Sequence, residues 1–146
     1  MLPRFKLPLP AERFLAEYWQ KQPLLMRAVA SGLEYPDAET LAGLALEAEV
    51  ESRLITGHDD GPWNLQHGPF TERDFQVLPR ENWTLLVQSV DCFLTDVSLL
   101  LDSFDFLSGW RLEDIMISYA ARGGSVGPHF DRYDVFLIQA KGTRRW

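Results

Sequence analysis

Cysteine is almost absent from the sequence, and its scarcity excludes two kinds of structure. The single cysteine, Cys92, has no partner within the chain for a disulfide. It also has no neighbouring thiol with which to form a zinc site. We therefore expect Cys92 to be a buried, unreactive thiol, and we expect no redox chemistry from it.

Long apolar runs are also missing. The longest are short, such as Val135 to Ile138, whereas a membrane helix needs roughly 20 apolar residues. No charged and then apolar leader opens the chain. With 146 residues, of which 46% are hydrophobic and 24% charged, the sequence fits a single domain spanning residues 1–146. We expect a cytoplasmic protein that does not contact membranes.

Positive charge is scarce. The sequence has 14 lysines and arginines against 21 aspartates and glutamates, which gives a formal net charge of −7. This balance argues against direct binding to a nucleic-acid backbone and favours a basic protein partner. A moderate negative charge is equally typical of an ordinary soluble protein, so both interpretations stay open.

Histidine is scarce as well, yet one histidine stands in a suggestive position. Residues 126–136 read VGPHFDRYDVF, so that His129 and Asp131 are separated by one residue. In an extended strand both side chains would point the same way and reach one cation, while Phe130 would face away. A facial iron triad needs a second histidine, and none follows Asp131. A surface turn or a hydrogen-bonded pair would give the same short pattern.

Periodic apolar residues predict the helices. The segment from Pro10 to residue 20 places Phe14 and Trp19 on one helical face. Residues 37–50 predict a second helix with Asp37 as its cap. A third helix is expected at residues 95–104, where apolar residues recur at helical spacing.

Strands are expected in the remaining segments, with helices first and sheet last. Residues 52–56 and 63–67 predict a hairpin, with His58 at its turn and His67 at a strand end. Further strands are expected at residues 23–29, 82–90, 114–121 and 134–140. The glycines before His129 match no phosphate-binding loop, so we expect them to let the chain bend into a metal-bearing strand.

Several motifs, in order along nearly the whole chain, resemble one family of enzymes. FLAEYWQKQPLLMR resembles the entry helix and strand of the JmjC-type cupin oxygenases. LAGLALEAEVESRLI, HGPF, NWTLLVQSV, DIMIS and GPHFDRYDVFLIQAKGTRRW resemble the bacterial ribosomal oxygenases. The resemblance implies an α+β fold in which N-terminal helices and strands lead into a double-stranded β-helix, the cupin barrel. It also implies an Fe(II)- and 2-oxoglutarate-dependent enzyme that hydroxylates an arginine of a large-subunit ribosomal protein.

The resemblance assigns roles to particular residues. His129 and Asp131 match two of the three iron ligands, and Arg144 matches the arginine that binds the distal carboxylate of 2-oxoglutarate. A guanidinium pairs with a carboxylate through two parallel hydrogen bonds, which suits that role. The alternative for Arg144 is a solvated basic segment, because Lys141 and Arg145 lie close to it in sequence.

Three further residues match the pocket for the substrate arginine: Asp114, Met116 and Tyr133. An aspartate supplies the charge partner that an arginine needs, while methionine and tyrosine give it an apolar wall. Met116 as a core residue and Asp114 as the start of a strand remain alternatives.

The sequence also departs from the family. Full-length members have a second iron-binding histidine several strands after the His-x-Asp pair, then a dimerising helical region and a winged-helix-like domain. We therefore expect residues 1–146 to be the N-terminal part of a homodimeric enzyme, with an incomplete barrel and no activity alone. Two rival hypotheses are a JmjC-type histidine or asparagine hydroxylase and a noncatalytic truncated binding module.

Overall fold

The computed structural model describes residues 3–33, 35–58 and 61–146. Within them the α-helices are α1 (Ala11–Glu17), α2 (Ala38–Leu44), α3 (Glu72–Gln76) and α4 (Thr95–Ser98). The strands are β1 (Arg4–Phe5), β2 (Ala30–Ser31), β3 (Ser52–Thr56), β4 (Asn64–His67), β5 (Trp83–Val87) and β6 (Ile117–Ala120). Short 3₁₀ turns lie at Val90–Cys92, Leu101–Phe104 and Gly109–Arg111.

The chain forms two compact units. The sheet unit comprises the described residues of 36–93 and 114–130. The aromatic unit comprises the described residues of 1–35, 94–113 and 131–146. The chain passes from the sheet unit to the aromatic unit between residues 130 and 131, inside the predicted metal motif.

The sheet unit is built on an antiparallel sheet with strand order β4-β3-β5-β6. Leu54 of β3 pairs with Leu85 of β5, and these two side chains are only 1% and 2% exposed. In β5 the four residues after Trp83 are all buried, which is typical of a central strand covered on both faces. The four residues of β4 are exposed, as expected of an edge strand.

The aromatic unit has a core of packed rings. Phe5 and Phe104 stack with their ring centroids 4.7 Å apart, and Phe136 packs edge-on against both. Phe14 of α1 contacts Phe136 and Phe106 in the same cluster. Burying one such side chain contributes roughly 1.5 to 3 kcal/mol, so the ring cluster is the main source of stability that we identify in this unit.

The helix predictions are confirmed in position but not in length. Phe14 is the buried residue of α1. Asp37 caps α2 by accepting a hydrogen bond from the main-chain N of Thr40 at 2.8 Å. The predicted helix at 95–104 divides into α4 and a 3₁₀ turn, although its apolar face is buried at Val97 and Phe104.

The predicted hairpin is confirmed by the pairing of β3 with β4, in which Arg53 lies opposite His67. The carbonyl O of His58 accepts from the N of Gly61 at 3.0 Å, as expected in a turn. Asp59 and Asp60, also predicted in this turn, lie outside the described residues. Strands β5 and β6 likewise fall within the segments predicted for them.

Three strand predictions are wrong. Residues 23–29 contain no strand; the short strand β2 comes later, where it pairs with β1. Neither the segment around His129 nor residues 134–140 form a strand in the described structure. An alternating or apolar pattern becomes a strand only when a neighbour completes its hydrogen bonds, and no described strand pairs with these segments. The sheet therefore lies in the middle of the chain rather than at its end.

The prediction of a buried cysteine is also wrong, because Cys92 is exposed. It ends the turn Val90–Cys92, in which Val90 is fully buried. Residues two apart in a 3₁₀ turn point to different sides, so the burial of Val90 directs Cys92 outward. Among the described residues, no helix has the length and apolar character needed to cross a membrane.

Candidate functional site

The carboxylate of Asp114 accepts three hydrogen bonds from two residues of a neighbouring segment. Its Oδ2 atom accepts from Gln88 Nε2 at 2.7 Å, from the main-chain N of Ser89 at 2.7 Å and from Ser89 Oγ at 3.1 Å. Gln88 and Ser89 directly follow the central strand β5, and Asp114 precedes the neighbouring strand β6. The pairing of these two strands therefore brings the three residues together.

Ser89 adopts a backbone conformation that residues other than glycine rarely adopt. Its φ of 52° and ψ of 38° lie in the left-handed region. The two hydrogen bonds from Ser89 to Asp114 compensate for this conformation. Strained residues of this kind cluster at functional sites, where the surrounding structure holds them in place.

A second set of contacts fixes the same two segments. The N of Ile115 donates to Asp91 Oδ1 at 2.7 Å, and the N of Val90 donates to the carbonyl O of Ile115 at 2.9 Å. The segment that contains Asp114 and the segment that contains Ser89 thus donate hydrogen bonds to each other in both directions. The position of Asp114 is set by the main chain as well as by side chains.

Arg53 extends the network across the sheet. Its Nη2 atom donates to Gln88 Oε1 at 2.9 Å, and the same atom lies 4.0 Å from the sulfur of Met116. The structure therefore brings the predicted pocket residues Asp114 and Met116 together around Arg53 and Gln88. Met116 is 42% exposed, which contradicts its alternative assignment as a core residue.

His129 lies in a loop of the sheet unit and is exposed. Its Nδ1 atom is 3.0 Å from the carbonyl O of Gly127. A carbonyl only accepts, so the ring donates from Nδ1, and the neutral ring then carries its lone pair on Nε2. Metal-binding histidines commonly show this arrangement, in which one nitrogen donates to a carbonyl and the other ligates.

The loop before His129 packs on Trp63. Gly127 has a φ of +73°, and a side chain there would begin 3.4 Å from the Trp63 ring. Gly57, on the other side of the hairpin turn, would meet the same tryptophan. The glycines thus provide the bend that the sequence predicted, although the bend leads into a loop rather than a strand.

The other three predicted residues lie in the aromatic unit. Asp131 is exposed, and Tyr133 is 63% exposed. Arg144 is half-buried, and its guanidinium lies 5.3 Å from the centre of the Trp146 ring. Lys141 and Arg145 are exposed. A uniformly solvated segment would leave all three basic side chains exposed, so it does not explain the half-burial of Arg144.

The donor set fits part of an iron site. One imidazole nitrogen and one carboxylate are ligand types of the facial triad, and His129 and Asp131 have side chains of these two types. In the part of the chain that the structure describes, no group of three or more histidine, cysteine, aspartate and glutamate side chains is placed to hold a metal. His67 is exposed on the edge strand β4, where the sequence placed it.

The sequence interpretation missed Arg53, Gln88 and Ser89. Ser89 and Asp114 are 25 residues apart, so no local periodicity links them. The only available signal was the polar pair Gln88 and Ser89 directly after an apolar run, where polar groups at a strand end are often functional.

Comparison with known proteins first shows which class of protein domain the chain resembles. Residues 99–146 match the JmjC domain, and all six predicted site residues fall within this match. The resemblance to JmjC-type oxygenases is therefore confirmed for the segment that carries them.

The more particular likeness is to the ribosomal oxygenases. The chain is 44% identical over 143 residues to the Escherichia coli ribosomal protein uL16 3-hydroxylase, covering 97% of this chain and 38% of that protein. It is 41% identical over 145 residues to a probable ribosomal oxygenase of Haemophilus influenzae, covering 97% of this chain and 36% of that protein. The chain thus spans well under half the length of these relatives.

A solved structure confirms the fold class. The E. coli ribosomal oxygenase YcfD, in complex with cobalt and 2-oxoglutarate, matches with a TM-score of 0.79 and 39% sequence identity. The match covers 88% of this chain and 35% of YcfD. The predicted α+β fold of an incomplete cupin barrel is thereby confirmed.

Proposed function

We propose that this chain contributes to an Fe(II)- and 2-oxoglutarate-dependent oxygenase that hydroxylates an arginine side chain of a large-subunit ribosomal protein. The observation that carries the proposal is its likeness, over 88% of its length, to a ribosomal oxygenase bound to cobalt and 2-oxoglutarate. Cobalt stands in for iron in that complex. A uL16 hydroxylase among the relatives supports a ribosomal protein as the substrate class.

The proposed metal ligands are His129 and Asp131. When bound, Fe(II) and 2-oxoglutarate supply the oxidising chemistry of hydroxylation. The chain's part is to orient the ligands: the Gly127 carbonyl holds the His129 ring by its Nδ1 atom, so that Nε2 is the ligating nitrogen. Asp131 adds a negative charge that offsets the charge of the cation.

Arg144 is the proposed anchor for 2-oxoglutarate. Its planar guanidinium pairs with a carboxylate through two hydrogen bonds, and its contact with the Trp146 ring restricts the orientation of the fork. The half-burial of Arg144 supports this role, because partial removal from water strengthens a charge-assisted bond.

Asp114, Met116 and Tyr133 are the proposed receptors for the substrate arginine. Asp114 is held in place by Gln88 and Ser89 and carries the negative charge that a guanidinium needs. The exposed side chains of Met116 and Tyr133 offer apolar surface for the arginine stem. The network around Asp114 favours a cationic residue over the histidine or asparagine of related hydroxylases.

The location, assembly and partners of the enzyme are also part of the proposal. We place residues 1–146 in one cupin-type oxygenase domain of a cytoplasmic, homodimeric enzyme that acts on a basic protein rather than on nucleic acid or membranes. The net charge of −7 supports a basic partner.

The test is a chimaera in which residues 1–146 replace the matching segment of the E. coli uL16 3-hydroxylase. We expect 2-oxoglutarate turnover coupled to hydroxylation of an arginine-bearing uL16 peptide, measured by mass spectrometry. Peptides with histidine or asparagine in place of the arginine distinguish the related hydroxylases. A folded chimaera that binds the arginine peptide without turnover would support the noncatalytic binding module instead, which the absence of a third ligand among the described residues favours.

A further inference from the structure

The charges around Asp114 are arranged in an unusual way. Arg53 and Asp114 both hydrogen-bond to the side chain of Gln88, the cation to its oxygen and the anion to its nitrogen. Among the described residues, Asp114 forms no ion pair. A neutral amide thus stands between an arginine and an aspartate that would otherwise attract each other.

We propose that Gln88 is a positioning residue that keeps Arg53 from pairing with Asp114 and so preserves the Asp114 carboxylate for the arginine of a substrate. This inference rests on the proposed arginine-binding function and explains how the Asp114 carboxylate stays available for it. An arginine of the chain itself would be a strong competitor, because it is tethered close by and forms the same kind of bond.

The geometry carries the proposal in two steps. First, Gln88 satisfies both charged groups at short distances, 2.9 Å to Arg53 and 2.7 Å to Asp114. Second, the remaining donors on Asp114 are the neutral main-chain N and hydroxyl of Ser89. Every bond to the carboxylate thus comes from a neutral group, which orients the carboxylate without cancelling its charge.

The position of Arg53 supports the same conclusion. Its guanidinium lies 4.0 Å from the sulfur of Met116, the residue proposed to contact the substrate arginine. Arg53 therefore already lies beside one wall of the proposed pocket. Without the amide of Gln88, movement of the Arg53 side chain towards Asp114 would place the chain's own guanidinium where that of the substrate is expected.

The test measures binding of an arginine-bearing uL16 peptide and of its citrulline counterpart by calorimetry. Four forms of the chimaera with the E. coli enzyme are compared: the unsubstituted chimaera, Gln88→Met, Arg53→Met and the double variant. Gln66→Met, an exposed change on the edge strand β4, is the matched control. Gln88→Asn is a milder second variant, because its shorter amide cannot span both charged groups. Thermal denaturation checks that each variant is folded.

We expect Gln88→Met to lose roughly tenfold or more in affinity for the arginine peptide, since bonds to charged groups are the strong ones. Gln88→Asn should lose affinity in the same direction. Arg53→Met should retain binding, and the double variant should regain most of what Gln88→Met lost. Gln66→Met should match the unsubstituted chimaera.

The recovery in the double variant separates positioning from a purely structural role. If Gln88 only stabilised the fold, a second core-adjacent change would weaken binding further, and that result would overturn the inference. Equal binding by Gln88→Met and the unsubstituted chimaera would overturn it as well, with the arginine site itself left standing. If the unsubstituted chimaera did not prefer the arginine peptide to the citrulline peptide, the proposed arginine site itself would be wrong.

Discussion

Ser89 donates two hydrogen bonds to the carboxylate of Asp114, one from its main-chain N at 2.7 Å and one from its hydroxyl at 3.1 Å. The aspartate proposed to bind the substrate therefore also supports a left-handed residue of the protein. The two roles make different demands on the side chain. Support of Ser89 needs an acceptor oxygen, whereas recognition of a guanidinium needs a negative charge.

Substitutions at Asp114 should separate these roles. Asp114→Ala removes the acceptor, and we expect it to lower the free energy of unfolding by about 1 to 3 kcal/mol, because half-buried donors lose their partner. Asp114→Asn keeps an acceptor oxygen, so its stability should change less, while its preference for arginine over citrulline peptides should be lost. Urea denaturation and calorimetry measure the two effects. Equal destabilisation by both variants would contradict the division of roles.

Arg144→Lys should weaken the response to 2-oxoglutarate in the chimaera with the E. coli enzyme. An ammonium cannot form the two parallel bonds of the guanidinium, so we expect the half-saturating concentration of 2-oxoglutarate to rise by about tenfold, which corresponds to roughly 1.4 kcal/mol. Arg145→Lys is the control, because this neighbour is exposed. If the dependence of the rate on 2-oxoglutarate concentration were unchanged in Arg144→Lys, Arg144 would belong to a solvated basic segment instead.

The fold was predictable where local pattern determines structure. The apolar periodicity around Phe14 and the cap at Asp37 were sufficient for α1 and α2. The buried run of β5 was equally clear, since its four buried residues follow one another in sequence. Each of these features needs only neighbours within a few residues, and sequence reasoning recovers such features well.

The remaining features depend on partners far along the chain. Residues 134–140 alternate between exposed Val135 and Leu137 and half-buried Phe136 and Ile138, as a strand would, yet no described strand pairs with them. The bonds between Ser89 and Asp114 span 25 residues. The lack of a partner strand leaves no local pattern, so a strand was wrongly predicted at residues 134–140. The contact between Ser89 and Asp114 leaves no local pattern either, so it was missed.

Acid should weaken the start of α3. Asp74 Oδ2 accepts from the hydroxyl and the main-chain N of Thr71, both at 2.7 Å, and these bonds hold the pKa of Asp74 below its ordinary value. A carboxyl whose folded pKa is lowered stabilises the fold above its unfolded pKa, and this contribution is lost as pH falls through the folded pKa. We expect the protection of the Thr71 amide, which NMR measures as its exchange rate relative to that of an unstructured peptide at the same pH, to fall in that range. Asp74→Asn should remove most of this pH dependence.

Asp131→Ala should remove metal-dependent activity from the chimaera. Loss of a partner that merely orients a ligand typically costs about 10- to 100-fold, so loss of the ligand itself should reduce hydroxylation by about 100-fold or more. Asp105→Ala, an exposed aspartate of the same unit, is the control. A spectroscopic check uses cobalt, whose absorption bands in the wild type should change in the variant. Wild-type activity and an unchanged cobalt spectrum would show that Asp131 is not a ligand.

The 146-residue chain alone should associate with itself and should not turn over 2-oxoglutarate. Phe130, Val135 and Leu137 are 83%, 48% and 59% exposed, and their segment offers main-chain groups that no described strand pairs. Such a segment is a template for pairing with another chain. The doubly substituted variant Val135→Lys with Leu137→Lys should shift the size-exclusion profile towards the monomer. Val77→Lys, which changes a residue of the sheet unit that is 70% exposed, should not. Iron titration and a turnover assay complete the experiment, and a wild-type monomer with tight iron binding and turnover would contradict the prediction.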